Sequence, residues 1–223
     1  MRVLGIETSS RRGSVALLEH GRVIQVAEHD LPNAHAEQIL ALIEGALSRA
    51  GWSRTTLDVL GVGVGPGSFV GLRVGIALMQ GISLGIGRPT VGVPSLLAMA
   101  RAIDPIEPGL RVPLLDARRS EVFMAAYDEE GRERLAPCAV PTSEVRTVLA
   151  RLKDEVLLLG EVAHQLELPG ARRGAETDLP HARWIATLAG ESTASDSPPI
   201  PIYVRDAGAA LPNLPTSPFL QEP

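Results

Sequence analysis

The stretch Gly63-Val64-Gly65-Pro66-Gly67-Ser68-Phe69-Val70-Gly71-Leu72-Arg73-Val74-Gly75 joins an apolar run over 57–64 to a long helical pattern. The run predicts a strand, and Ser68 is a residue type that caps helices. A strand that turns through glycines into a helix N-terminus suits anions, because free N–H groups and the helix dipole point the same way. The segment lacks the Gly-Lys-Ser/Thr ending of a Walker P-loop. The alternative is that the glycines only permit a sharp turn and close packing.

Both halves of the chain show the same order of predicted elements: strand, strand, strand, helix, strand, helix. Three meandering strands followed by helical crossovers predict a mixed sheet covered by helices, and the repeated order predicts a duplicated two-subdomain α/β fold. The predicted strands are 3–7, 14–18, 23–28, 57–64, 90–93, 110–115, 121–127, 134–140 and 156–159, and the predicted helices are 34–50, 68–84, 95–103, 142–152 and 181–189.

The boundary between the halves is predicted at Asp104-Pro105-Ile106-Glu107-Pro108-Gly109, where two prolines and a glycine stop a helix. The N-terminal subdomain is therefore assigned to 1–103 and the C-terminal subdomain to 104–205. The apolar segment Ile200-Pro201-Ile202-Tyr203-Val204 could dock on the body of the protein. Residues 206–223 are rich in Ala, Gly and Pro without periodicity, so we expect a mobile tail.

The composition excludes several classes of protein. The 223 residues carry a net charge of −5 and only 3% are aromatic, whereas proteins that grip nucleic acid by themselves are usually basic. The single cysteine, Cys138, excludes an internal disulfide framework and a cysteine-rich zinc ribbon. Glu7 interrupts the first apolar run, and Arg73 and Gln80 interrupt the most apolar one. The sequence therefore predicts a cytoplasmic protein without a signal peptide or membrane span.

Two polar turns that follow strands are candidates for ligand binding. The carboxylate and hydroxyls of Glu7-Thr8-Ser9 could hold Mg²⁺, a water or a phosphate, and Asp116 could face a cleft between the halves. For both turns the alternative is a solvated surface hairpin. Together with the glycine-rich turn they supply the candidates for a nucleotide pocket, which are Glu7, Thr8, Ser9, Gly65, Gly67 and Asp116.

The helix predicted over 68–84 is apolar almost all round, so it must be covered on every side by both halves or by another chain. Its glycines at 71 and 75, and at 81 and 85, are spaced four apart and let another backbone approach closely. We expect a protein–protein surface shared with the helix over 34–50, and Gly75→Arg should block docking; ordinary core burial is the alternative. The predicted interface residues are Ala36, Ile39, Leu40, Ile43, Leu72, Gly75, Ile76 and Met79.

The residues give no indication of a catalytic or metal site. Ile39 stands four residues after His35, where a helical two-histidine metal site needs a second histidine. The other histidines have no ligand spacing with each other or with Cys138. The sequence also lacks the Gly-x-Ser-x-Gly elbow of a hydrolase. We therefore predict no catalytic residue and no metal bound by this chain.

Taken together, these segments resemble the TsaB family, also called YeaZ, over about residues 1–205. Departures from the family pattern are mild: Glu7 stands where aspartate is frequent, Phe123 where tyrosine is common and Ser120 where glycine is common. The motifs that carry the resemblance are Ile6-Glu7-Thr8-Ser9, the 65–75 stretch, Gly92-Val93-Pro94-Ser95-Leu96, Asp116-Ala117-Arg118-Arg119-Ser120-Glu121-Val122-Phe123 and Pro201-Ile202-Tyr203-Val204-Arg205.

The resemblance implies duplicated RNase H-like halves of the actin, hexokinase and Hsp70 ATPase superfamily. It also implies a non-catalytic scaffold that, with TsaD and TsaE, supports transfer of a threonylcarbamoyl group to the tRNA adenosine beside the anticodon. TsaD would be the catalytic member, holding a metal through a His-x-x-x-His pair whose place falls here on His35 and Ile39. The first two helices would form the heterodimer surface.

In that assembly, ATP and the metal ion would be held by TsaD and TsaE, and tRNA would be contacted indirectly through the complex. Three alternatives stay open. The chain could be a small ATPase or kinase of the same superfamily, a glycoprotease-like hydrolase, or a homodimer that uses the same helices.

Overall fold

Five strands of the first half form one mixed sheet in the computed structural model of the chain, which describes residues 1–30, 35–104, 106–152, 154–169, 175–192 and 197–204. The strands are β1 (Arg2–Glu7), β2 (Gly13–Glu19), β3 (Arg22–His29), β4 (Val59–Gly63) and β5 (Thr90–Val93). Their order is β3-β2-β1-β4-β5. The β1–β2 and β2–β3 pairs are antiparallel, whereas β1–β4 and β4–β5 are parallel.

The second half repeats this arrangement with four strands in the order β8-β7-β6-β9. The strands are β6 (Leu110–Arg118), β7 (Glu121–Tyr127), β8 (Glu133–Pro141) and β9 (Val156–Leu159). The β6–β7 and β7–β8 pairs are antiparallel and β6–β9 is parallel, as in the corresponding pairs of the first sheet. The two mixed sheets confirm the fold class that the repeated pattern predicts.

Within the described ranges, seven α-helices cover the two sheets. They are α1 (His35–Ala50), α2 (Phe69–Ile86), α3 (Ser95–Ala100), α4 (Val145–Arg151), α5 (Glu161–Gln165), α6 (Ala175–Asp178) and α7 (Ala182–Glu191), with 3₁₀ turns at Arg54–Thr56 and Thr142–Glu144. Side chains along β1 alternate between the two faces of the sheet, and both faces are buried. Leu4 and Ile6 pack into the core under α1 and α2, whereas Val3 packs with Ile185 and Ala186 of α7 on the opposite face.

The halves exchange a helix across their boundary. Helix α3, from the first half of the chain, packs on β6 and β7, and α7, from the second half, packs on β1, β2 and β4. Two glycines make room for α7: a Cβ atom at Gly5 would lie 2.7 Å from the Cβ of Ala186, and one at Gly61 would lie 2.7 Å from the Cβ of Ala189. The predicted boundary between 1–103 and 104–205 therefore separates the two sheets. It does not separate the helices that cover them, because each half supplies one helix to the sheet of the other.

The predicted linker is wrapped around one buried guanidinium. Arg111 is 2% exposed and donates hydrogen bonds to the carbonyl oxygens of Asp104 (2.9 Å), Glu107 (2.5 Å) and Gly109 (2.7 Å). It also pairs with Glu129 at 3.4 Å. These contacts fix the path of the chain between the two sheets.

The C-terminal segment 197–204 returns to the first half, as the apolar run at 200–204 suggests. The Ile202 N–H donates to the Val64 carbonyl at 2.8 Å, and the Ile202 side chain packs against the core beneath α2. We call this segment the C-terminal strap. The tail predicted at 206–223 lies outside the described residues.

Most predicted elements agree with the structure, and β5, β7 and β9 have the predicted bounds. The sequence analysis missed α5 and α6, which have five and four residues and so are too short to show a helical period. Among the described helices, α2 alone has the length and apolar composition of a membrane span. One side of this helix packs on the first sheet, where Leu72, Ile76 and Met79 are buried.

Candidate functional site

The glycine-rich stretch is packed directly against the residues that follow β1. The Ser68 N–H donates to the Ser9 carbonyl at 2.7 Å, and the Thr8 hydroxyl donates to the Gly71 carbonyl at 2.8 Å. We call this contact the glycine seam; its glycines are Gly63, Gly67, Gly71 and Gly75. A Cβ atom at any of these four positions would overlap an atom of Glu7, Thr8 or Ser9. The close-packing interpretation therefore accounts for these glycines.

Glu7 is fully buried inside the glycine seam. One carboxylate oxygen accepts from the Ser9 N–H at 2.6 Å and the other from the Ser95 hydroxyl at 2.8 Å. The Ser95 oxygen in turn accepts from the Gly65 N–H at 3.2 Å. Burial raises the pKa of Glu7 above its ordinary value, and the hydrogen bonds from Ser9 and Ser95 partly offset this. Both carboxylate oxygens thus accept hydrogen bonds inside the protein.

A cleft of about 650 Å³ lies between the two halves. Of the six predicted nucleotide-pocket residues, Ser9, Gly67 and Asp116 line it, whereas Glu7, Thr8 and Gly65 do not. Its lining is Ser9, Ser10, Arg11, Gly67, Ser68, Phe69, Val70, Gly71, Val74, Leu115, Asp116, Ala117, Arg118, Phe123, Glu161 and Leu179. The structure therefore brings together the two polar turns, but only half of the predicted set.

The β1–β2 turn holds the halves together across this cleft. Arg11 pairs with Asp30 beside it and, at 3.0 Å, with Glu161 of α5 in the second half. Arg12 is buried and donates to the Leu179 carbonyl at 2.7 Å, while the Ala182 N–H donates to the Ser14 hydroxyl at 2.9 Å. The turn is a bridge between the halves rather than a solvated hairpin.

The matching turn of the second half, between β6 and β7, is held in an unusual backbone conformation. Three successive residues without glycine, Arg118, Arg119 and Ser120, have φ values of 63°, 54° and 58°. Such left-handed residues cost about 1–2 kcal/mol each. Asp116 supports the turn, since one carboxylate oxygen accepts from the Arg118 N–H at 2.7 Å and the other lies 3.3 Å from its guanidinium.

The described residues contain no cluster of three or more His, Cys, Asp or Glu side chains placed to hold a metal ion. Ile39, where the family resemblance places the second histidine of a metal pair, is buried in the core beneath α1 and α2. His35 begins α1 one turn earlier.

The predicted interface residues are corrected by the structure. Ile39, Ile43, Leu72, Gly75, Ile76 and Met79 are all buried within the chain's own core, so they cannot contact a partner directly. Leu40 alone of the set is exposed, at 43%, and the side chain of Ala36 lies outside the described residues. The error has a simple cause: the strongest apolar stripe of a helix is the one that its own sheet buries.

A different face of α2 is open to the surroundings. Val70 is 68% exposed and Leu84 is 86% exposed. A Cβ atom at Gly81 would meet nothing within 4 Å, and the same holds at Gly85. At helical spacing this face, which we call the open face, comprises Val70, Arg73, Ala77, Gly81 and Leu84. It is apolar except for Arg73, and its two residues nearest the middle, Ala77 and Gly81, are small.

Comparison with known families agrees with the sequence resemblance. The family model described as TsaD, tRNA N6-adenosine threonylcarbamoyltransferase, matches residues 29–176. The tRNA threonylcarbamoyladenosine biosynthesis protein TsaB of Escherichia coli (strain K12) is 40% identical over 135 residues, which are 59% of this chain and 58% of that protein. TsaB of Bacillus subtilis (strain 168) is 30% identical over 168 residues, 72% of this chain and 71% of that protein. The chain thus spans little more than half the length of its Escherichia coli relative.

Solved structures show the same relationship in three dimensions. YeaZ from Pseudomonas aeruginosa superposes with a TM-score of 0.75 at 27% identity, covering 91% of this chain and 99% of that one. The activator of the 2-hydroxyisocaproyl-CoA dehydratase from Clostridium difficile, with bound ADPNP, has a TM-score of 0.54 at 12% identity over 86% of this chain and 95% of that one, which shows a shared fold alone. The two mixed sheets, whose strand orders correspond, therefore confirm the predicted duplicated α/β fold. From its sequence matches and its structure alike, the chain belongs to the TsaB (YeaZ) family.

Proposed function

We propose that this chain is a non-catalytic scaffold and activator that binds a TsaD-type transferase through α1 and α2. In this proposal it supports, together with a TsaE-type ATPase, formation of the threonylcarbamoyl group on the tRNA adenosine beside the anticodon. The observation that carries the proposal is the open face of α2, which leaves Val70 and Leu84 uncovered on a helix with one charged residue.

The free energy gained by burying the exposed apolar side chains of the open face supports a protein partner. Fully burying a Val or Leu side chain is favourable by about 1.5–3 kcal/mol, so a contact that covers Val70 and Leu84 gains several kcal/mol. Gly81 and Ala77 lie between them and let a second helix approach closely. Leu40 and Ala41, exposed on the adjacent α1, extend the surface.

The similarity in sequence between this chain and the TsaD family favours a TsaD-type protein as the partner. The TsaD family model matches residues 29–176, which include α1 and α2. Two chains with related folds can pair the same helices across a pseudo-twofold axis, as identical chains do across a true one. A homodimer of this chain through the same face is the competing arrangement.

A non-catalytic role is supported by what the candidate residues already do. Glu7 uses both carboxylate oxygens within the glycine seam, and Arg11 and Arg12 are committed to contacts between the halves. Ile39 fills the core at the place of a metal-binding histidine. In the proposed complex, ATP and the metal ion are held by the partners, tRNA is contacted through the complex, and the assembly is cytoplasmic.

Size-exclusion chromatography with light scattering tests the proposal. The chain is run alone and mixed with the TsaD-type protein of the same organism. We expect a stable 1:1 or 2:2 complex, and we expect Leu84→Glu to abolish it. Ile106→Glu is the matched control, because Ile106 is 88% exposed on the linker, away from α1 and α2.

Three results would contradict the scaffold proposal. One is the absence of a complex at micromolar concentrations, and another is a complex that survives Leu84→Glu unchanged. The third is tight binding of ATP by the isolated chain with turnover, which would support the alternative of a small ATPase or kinase that uses the cleft between the halves.

A further inference from the structure

Arg73 stands out on the open face because it is the one charged residue of α2, among eighteen residues from Phe69 to Ile86. A partner that covers the open face must also cover this guanidinium. Burying an unpaired charge is strongly unfavourable. A protein that docks on the open face must therefore supply a group that pairs with the Arg73 guanidinium.

The Arg73 guanidinium is held in place before any partner arrives. Its central carbon lies 3.6 Å from the centroid of the Phe69 ring, a distance typical of a cation–π contact. Its Nε–H donates to the Tyr203 hydroxyl at 3.2 Å. The Phe69 and Tyr203 rings are themselves in contact, with centroids 5.5 Å apart. Two aromatic side chains therefore fix one arginine on the surface.

These contacts satisfy only part of the hydrogen-bonding capacity of Arg73. A guanidinium has five N–H donors, and the bond to Tyr203 uses the one on Nε. Within the described residues no carboxylate forms an ion pair with Arg73. The planar terminal fork, the part that pairs bidentately with carboxylates, is therefore available.

We infer that Arg73 is a preorganised anchor for a carboxylate of the docking protein, and that Tyr203 of the C-terminal strap positions it. The inference rests on the proposed function and adds the chemistry of the partner surface: an acidic side chain set among small and apolar residues. Arginine and aromatic residues dominate binding hot spots, and an arginine that is already ordered loses less entropy on binding. The strap thus places a residue from the C-terminal region within the docking surface.

The test is a set of dissociation constants for the TsaD-type protein, measured by isothermal titration calorimetry on the full-length chain. We expect Arg73→Glu to weaken binding by about 30-fold or more, as is typical of a hot-spot arginine. Arg73→Lys should weaken it by a smaller factor, because it keeps the charge and loses the fork. Arg22→Glu is the matched control, since Arg22 lies on β3, outside α1 and α2.

The test of Tyr203 must separate an effect on binding affinity from an effect on the stability of the isolated chain. Tyr203→Phe keeps the ring and removes the hydroxyl, and we expect about a threefold loss of affinity with an unchanged melting temperature of the isolated chain. In an Arg73→Ala background the same change should have no further effect, because Tyr203 acts through Arg73. Additive losses in the double mutant would overturn the positioning role.

The outcomes separate this inference from the proposed function. If Leu84→Glu abolishes the complex and Arg73→Glu leaves it unchanged, the scaffold proposal holds and the carboxylate inference fails. If Arg73→Glu weakens tRNA binding by the complex but not the heterodimer, the guanidinium contacts RNA phosphate and the inference is again overturned. If wild-type chains form no complex, both fail. Rescue of Arg73→Glu by an Asp or Glu to Lys change on the partner would identify the carboxylate.

Discussion

Helix α2 carries two pairs of glycines with the same spacing and opposite surroundings. Gly71 and Gly75 lie in the glycine seam, where a Cβ atom would overlap the carbonyl or the hydroxyl of Thr8. Gly81 and Gly85 have nothing within 4 Å of the same position. The first pair lets Thr8 of the same chain pack closely against α2. The second pair leaves a part of the α2 surface that no described residue of the isolated chain contacts closely.

This difference separates two reasons for keeping glycine in a helix. Each glycine costs a helix interior about 0.5–1 kcal/mol relative to alanine. At Gly71 and Gly75 the cost is offset within the fold by the contact with Thr8. At Gly81 and Gly85 the fold offers no compensation, so the compensation we propose is a docked partner.

The largest effect is expected for Gly75→Arg. The sequence alone led us to expect that this variant would block docking and leave the fold partly intact. The structure predicts loss of the fold itself, because the side chain would have to displace Thr8 from the glycine seam. Circular dichroism and thermal unfolding check this, and a cooperative wild-type-like transition would contradict it.

Gly81→Arg is the matched change on the open face. The isolated chain should fold with at least wild-type stability, because the position is open and arginine is a good helix former. Binding of the TsaD-type protein should be lost at micromolar concentration, since the new side chain occupies the space of a close helix contact. If Gly75→Arg and Gly81→Arg had the same effect on folding and on binding, the proposed distinction between the two glycine pairs would be wrong.

The next effect concerns the interior of the glycine seam and its dependence on pH. Glu7→Gln leaves one of two buried donors, the Ser9 N–H or the Ser95 hydroxyl, without a carboxylate oxygen, which costs about 1–3 kcal/mol. Because burial raises the pKa of Glu7, the folded state keeps a proton that the unfolded chain releases near its ordinary pKa of 4.5. The stability from this group is fully present below that pH and is lost as the pH rises through the raised pKa.

Thermal unfolding of both proteins across pH tests this sign. The stability of the wild type should fall relative to that of Glu7→Gln, which does not titrate at this position, as the pH rises above 4.5. A wild type that gains stability relative to Glu7→Gln as the pH rises would mean that Glu7 is stabilised as a carboxylate.

The smallest effect is expected for Gly81→Ala and Gly85→Ala. Each should stabilise the isolated chain by about 0.5–1 kcal/mol, because the added methyl group meets nothing and the helix gains propensity. Gly71→Ala should have the opposite sign. Urea unfolding gives all three values, and destabilisation by Gly81→Ala would show that its surroundings are not open.

The sequence predicted the secondary-structure elements better than it predicted the surface. Local apolar patterns placed β5, β7 and β9 at their observed bounds, and Ser68 does cap α2 by accepting from the Gly71 N–H at 3.2 Å. Six of the predicted interface residues are buried because a helical period identifies an apolar stripe without telling which stripe the fold buries. The contact of Gly5 with Ala186 was missed for another reason: it joins residues far apart in the sequence, and no local pattern encodes it.

The candidate site was predicted only in part for the same reason. Ser9, Gly67 and Asp116 line one cleft because Ser9 and Gly67 follow β1 and β4, and Asp116 lies near the carboxyl end of β6. Glu7 precedes Ser9 by two residues and faces inward, a distinction that depends on packing with Gly63 and Ser95. Arg73 was noticed in the sequence only as a break in an apolar helix, and its role depends on Tyr203, which comes from the far end of the chain.

The exchanged helices have a consequence for how the protein is made. On a ribosome, which adds about 5–20 residues each second, β1 to β5 emerge several seconds before α7. Until then, Val3, Ala16 and Leu18 have no helix to cover them, since their packing partners are in α7. A nascent or truncated chain that stops at the linker would therefore present an uncovered sheet face to chaperones and proteases. For the same reason, we expect that two fragments separated at the linker would not each fold alone.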